Sequence, residues 1–143
     1  QRLAGPFSAY GSAQWQYSGD KLLSGEQITF GGPFIGRAYD PSIIGGDRGI
    51  GGLAELRWNR PLRDNRFISN TQIYGFIDAA RTTSLAYQAN PTLVERLSSL
   101  GAGVRFDLVR RVQIDSYIAD ARKTVAGTVA NDDRVIVRFN TQF

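Results

Sequence analysis

A two-residue rhythm runs through most of this chain and limits its fold more than any other feature. In "RVIVRFNTQF", residues 134–143, Val135, Val137, Phe139, Thr141 and Phe143 alternate with Arg134, Ile136, Arg138, Asn140 and Gln142. Successive side chains of an extended strand point to opposite faces, so this string predicts a strand with one apolar and one polar face. At 97–108, Leu100, Ala102, Val104, Phe106 and Leu108 oppose Ser99, Gly101, Gly103, Arg105 and Asp107. At 7–17, Phe7, Ala9, Ala13, Trp15 and Tyr17 oppose Ser8, Tyr10, Ser12, Gln14 and Gln16. At 52–58, Ala54, Leu56 and Trp58 oppose Leu53, Glu55 and Arg57. With 26–31, 71–81 and 112–123, seven strands are expected, and no helical period competes. The chain is predicted to be all-β, an antiparallel up-and-down meander.

The connections are expected to alternate in size. Segments 18–25, 59–70 and 109–111 fall at one end of such a meander; a fifteen-residue run after Gly31-Gly32, 82–95 and 127–133 fall at the other. Unequal loops at the two ends suit a transmembrane β-barrel. The faces agree: one is apolar with aromatics near its ends (Trp15, Tyr17, Trp58, Phe143), and the other carries Arg, Glu, Asp and Gln, unsuited to a dry core. Period two by itself reads equally well as a soluble ligand-binding β-barrel or sandwich with its apolar face turned inward. No apolar run approaches the roughly 18 residues of a membrane-spanning helix, a limit that does not touch barrels.

Other chemistry is narrowed by what the chain lacks. Without His or Cys it has no Ser–His or Cys–His nucleophile, no disulfide framework and few ways to hold a transition metal. The motif "GIGG" at 49–52 does not open a helix, as a dinucleotide fingerprint must. No enzyme activity, cofactor or metal is expected. The 17 Lys and Arg leave a net charge of +4, but only Arg110-Arg111 and Arg122-Lys123 are adjacent. Nucleic-acid binding, which leaves a clustered basic face, is not expected. The chain has no Met, and reads as a fragment, a processed product or a trimmed piece.

The stretch "LLSGEQITFGGPFIGRAYDPSIIGGDRGIGGLAELRW", residues 22–58, resembles the signature of two-partner secretion transporters. These are the haemolysin activation/secretion family of the outer-membrane assembly superfamily. In that family a strand ending in Gly-Gly leads into a long extracellular loop, here about 33–49, with an Arg-Gly-aromatic motif. This chain reads Arg37-Ala38-Tyr39, with Ala where Gly is common. The family's F-x-D-x-G motif reads Phe76-Ile77-Asp78-Ala79-Ala80, with Ala for the last Gly. The two motifs stand in the family's order with one strand between them, and the likeness covers essentially the whole chain.

The resemblance implies that residues 1–143 are the C-terminal part of a sixteen-stranded barrel in the outer membrane of a Gram-negative cell. It also implies a pore that secretes a partner exoprotein of adhesin or haemolysin type. The other implied partners are outer-membrane lipid and upstream periplasmic modules of the same parent chain. A barrel-assembly protein is the alternative within the superfamily. The loop is expected to fold back into the lumen, with Arg37 paired to Asp78, Tyr39 packed into the wall and Phe76 beside them. By period two, Asp78 shares a face with Gln72, Tyr74, Phe76 and Ala80, away from Ile73, Ile77 and Ala79. Gly31, Gly32, Gly45, Gly46, Gly49, Gly51 and Gly52 are expected to let the loop bend. Phe139 and Phe143 carry the terminal-strand insertion pattern. Residues 7–17 and 134–143 are expected to be open edges.

Overall fold

The computed structural model describes residues 5–61, 68–86, 91–108, 112–123, 125 and 133–141. The strands are β1 (Phe7–Gln16), β2 (Ile28–Phe30), β3 (Ile44–Gly46), β4 (Arg48–Pro61), β5 (Ile68–Ser84), β6 (Leu93–Leu108), β7 (Val112–Ala121) and β8 (Asp133–Thr141). Among the described residues there is no helix, and an antiparallel six-stranded sheet runs in the order β1-β4-β5-β6-β7-β8. Strands β2 and β3 form a separate two-stranded sheet. The fold is therefore all-β, a partial barrel meander.

Segment 26–31 corrects the expectation of seven wall strands. It contributes only the short β2, which pairs with β3 rather than with the wall, so the described wall has six strands. The alternation is real, because Ile28 and Phe30 are buried and Thr29 is exposed. Period two identifies extended backbone, and does not say which surface its apolar side meets. Here that side meets the wall. The segment 18–25 therefore lies at the same end as the long loop, and 17–47 is a single insertion between β1 and β4.

The wall's two faces follow the sequence. Ile73 and Ile77 on β5, Leu56 on β4, and Val135, Val137 and Phe139 on β8 are exposed, Phe139 to 70%. Tyr74, Phe76, Asp78 and Ala80 are buried on the other side, which is the face the insertion covers. Strands β5 and β6, with 17 and 16 residues, exceed the roughly 9–11 needed to cross a bilayer. The sheet is open, since β1 pairs only with β4 and β8 only with β7 among the described residues.

The core lies between the insertion and the inner face. Ile28, Phe30, Ile35, Ala38, Tyr39 and Ile44 of the insertion pack with Leu53, Ala80, Leu97, Ala119 and Ala121 of the wall. The inner face is thus dry where the insertion lies on it, which corrects the reading of that face as unsuited to a dry core to that extent. Burial contributes about 1.5–3 kcal/mol for each large apolar side chain. Room for the insertion comes from two glycines of β6. The rings of Tyr74 and Phe76 reach over Gly103 and Gly101, their register partners. A Cβ on Gly101 would stand 2.4 Å from Phe76 Cζ, and one on Gly103 would stand 2.6 Å from the Tyr74 ring.

Candidate functional site

The Arg37-Ala38-Tyr39 motif forms the tip of the insertion. Tyr39 N–H donates to the Gly36 carbonyl at 2.9 Å, closing a tight turn, and Gly31 N–H donates to the Ile35 carbonyl at 2.9 Å. Gly36 adopts φ +91, and a Cβ there would press on Leu97 at 3.1 Å. This turn aims two backbone donors at one carboxylate. Gly36 N–H donates to Asp78 Oδ1 at 2.9 Å and Arg37 N–H to Asp78 Oδ2 at 3.4 Å. The Ser99 hydroxyl, on the facing residue of β6, also donates to Asp78.

The guanidinium goes elsewhere, which corrects the expected Arg37–Asp78 side-chain pair. Arg37 Nη2 bonds Glu55 Oε2 at 2.9 Å, and the Glu55 side chain is fully buried. The reason is reach and occupancy. Asp78 is short and already accepts from three donors, while the longer Arg37 passes over the Phe76 ring, 4.2 Å from its centroid. Glu55 is the register partner of Phe76. Glu55 Oε1 also accepts from Arg57 Nε at 2.6 Å and stands 3.6 Å from Arg105. Arg105 and Arg138 continue to Asp115 at 3.3 and 3.6 Å, and the Tyr74 hydroxyl donates to the same carboxylate. One polar network therefore spans β4 to β8.

Tyr39 is the second anchor. Its ring is buried, and its hydroxyl lies 2.7 Å from the Lys123 carbonyl and 3.0 Å from that of Ser98, while accepting from Lys123 N–H at 3.0 Å. A buried ion pair is often no better than a well-packed apolar pair, yet removing one partner costs about 3–5 kcal/mol. The apolar contacts therefore supply most of the attachment, and Arg37, Asp78 and Tyr39 fix its register.

The glycines divide into two groups. Gly31 and Gly32, at φ +118 and +89, are true bends. Gly45 and Gly46 lie in β3, and Gly49, Gly51 and Gly52 lie in β4, which corrects their reading as hinges. Close approach explains at least Gly51, where a Cβ would stand 2.6 Å from the Phe30 ring. Phe139 faces outward on β8; Phe143, Arg110-Arg111 and residues 127–132 lie outside the described residues.

Sequence reasoning singled out neither Glu55 nor Ser99, Arg105, Asp115 or Asp47. The first four sit on the inner phase of their strands, a signal that marks a face without naming partners. Asp47, between β3 and β4, has no periodicity to betray it. It is buried and accepts from Leu22 N–H at 2.8 Å, the Gln27 amide at 3.0 Å and Leu85 N–H at 2.6 Å. Burial would push its carboxyl up, but these bonds, with nearby Lys21, hold it down at about 2. Among the described residues no cluster of metal-ligating side chains occurs.

Comparison with known proteins agrees with this geometry. The family model described as haemolysin secretion/activation protein ShlB/FhaC/HecB matches residues 3–106. No curated protein and no solved structure gives a match. The family consists of outer-membrane transporters of two-partner secretion rather than enzymes. With most of its length matched and an antiparallel all-β sheet to carry the motifs, the chain belongs to the haemolysin secretion/activation family.

Proposed function

We propose that residues 1–143 form the C-terminal part of a sixteen-stranded outer-membrane barrel in a Gram-negative cell. Its parent exports an exoprotein of adhesin or haemolysin type from the periplasm to the cell surface. The observation that carries this reading is the seat itself. An insertion is fastened on the inner face of a sheet whose opposite face is apolar and bare. In a barrel that bare face meets lipid, and the insertion, about 33–49 at its extracellular part, becomes a lumenal obstruction. Arg37, Tyr39, Phe76 and Asp78 act as the lock between loop and wall, with Glu55 as the counter-charge. Gly31 and Gly32 shape the turn, and the outward Phe139, with Phe143, serves as the terminal-strand insertion signal. Upstream periplasmic modules of the parent recognise the exoprotein, and no nucleotide or cofactor is required.

The test is complementation in cells lacking the parent pore. Re-expression should move the exoprotein from periplasm to medium, and Arg37→Ala should cut that export by about tenfold, the equivalent of a modest lost interaction. Depletion of other outer-membrane barrels with export unaffected would instead mark a barrel-assembly protein and contradict the proposal.

A further inference from the structure

Below the loop tip, the inner face borders a half-open cavity of about 530 Å³ whose lining includes Arg37, Arg57, Arg105 and Arg138 but only two carboxylates, Glu55 and Asp115. Asp78 lies behind the turn and does not line it. Four guanidinium groups against two carboxylates leave a positive surplus in a partly enclosed space, where charge acts more strongly than in open water.

These arginines are held in place. Arg57 lies over the Tyr10 ring at 4.5 Å, Arg105 over Tyr74 at 4.6 Å and Arg138 over Tyr117 at 5.0 Å. The rings position each guanidinium; Arg105 already spends Nη1 on Gln72 and Nη2 on Asp115, while Arg57 is bonded to Glu55 through Nε. Arg138 is the least committed, with one ion pair at 3.6 Å and an Nε that has no partner among the described residues. Arg57 and Arg138 also keep part of their side chains exposed, 24% and 30%.

We infer that this arginine row binds carboxylate side chains of the exoprotein segment in transit, so that acidic stretches of the passenger are gripped beneath the loop tip. The inference rests on the export function proposed above and names the chemistry that function needs inside the lumen. Arg105 and Arg138 both face Asp115 from its two sides, so they lie two strands apart in one row. Their Nη2 atoms reach the same Asp115 oxygen at 3.3 and 3.6 Å, a close approach that alternate residues of an extended chain, about 7 Å apart on one face, can match. Acidic residues at alternate positions of a passing segment can therefore engage both guanidiniums at once.

The experiment uses the full-length pore in planar bilayers. The probe is an unstructured peptide with Glu at every second position, compared with otherwise identical Gln and Lys peptides. The Glu peptide should block the current with dwell times about tenfold longer than the Gln peptide, the scale expected for a charge-assisted contact. Arg57→Gln with Arg138→Gln should erase that difference, and the Lys pair at the same positions should keep most of it. Open-pore current in the same traces reports that each variant is inserted. Equal dwell times for the Glu and Gln peptides, or a Glu preference untouched by the Gln substitutions, would overturn the inference. Glu blockade seen only after the parent's own periplasmic modules are deleted would also overturn it, because that segment would then be the occupant. Export of the exoprotein is followed in cells with the same variants. A wild-type pore that exports normally but shows no Glu preference condemns this inference alone, whereas absence of export by the wild-type pore condemns the reading beneath it.

Discussion

Arg37 brings a full charge to a place where it meets three aromatic rings and one carboxylate. Its guanidinium carbon lies 4.2 Å from the Phe76 centroid, 5.7 Å from Tyr117 and 5.9 Å from Tyr74. Among the described residues its Nε and Nη1 have no hydrogen-bond partner, so Glu55 is the acceptor that makes burial tolerable. Reversing either charge, Arg37→Glu or Glu55→Arg, should destabilise the pore by about 3–5 kcal/mol and depress export. The double reversal should recover part of both, as read by thermal unfolding and by exoprotein in the medium. A double variant no better than the worse single one would refute the pairing. Combining Arg37→Glu with Asp78→Arg should give no such recovery, because Asp78 binds the turn's backbone. A second prediction concerns Gly101, where an added Cβ would stand 2.4 Å from Phe76 and 2.3 Å from the Ile118 carbonyl. Gly101→Ala should therefore cost about 1–3 kcal/mol by overpacking. It should also lift Phe76 from under Arg37, visible as a lower unfolding temperature, whereas Ala at the open position Gly19 should change little.

The insertion is the element on which the proposed function turns, and Asp47 clamps its base to Leu22, Gln27 and Leu85. Its carboxyl titrates near 2, below the ordinary aspartate value of 3.8. A depressed folded-state value means the clamp is fully present above about pH 4 and is lost as pH falls towards 2. Protease cleavage of the insertion should therefore rise in the wild type between pH 4 and 2, assayed with an acid-active protease. In Asp47→Asn, cleavage should start higher and vary less with pH. An identical pH response in both proteins would count against the clamp. The wall strands were legible in the sequence because an exposed apolar face and a buried opposite face impose strict alternation, as at Ile73, Tyr74, Phe76 and Ile77. The β2–β3 hairpin was not, because Ile28 and Phe30 alternate as a wall strand would while packing on the wall instead. The partner of Arg37 was equally hidden. Glu55 and Asp78 share the inner phase, and only reach and competing donors separate them.

At the scale of the whole molecule, the sheet presents an uncovered apolar face and an opposite face carrying a seated loop above a basic cavity. That division makes sense if the outer face lies in lipid and the inner face borders water. Strand β8 reports it most plainly, since Val135, Val137 and Phe139 are exposed on one side while Arg134, Ile136 and Arg138 are partly covered on the other. It is also an edge, with β7 as its described neighbour, so its open side awaits another strand. Single cysteines from 134 to 140 in the full-length pore, probed with a water-soluble thiol reagent in native outer membrane, test the arrangement most directly. Alternation is expected, with labelling at 134, 136, 138 and 140 and protection at 135, 137 and 139. Uniform labelling, or alternation in the opposite phase, would contradict it.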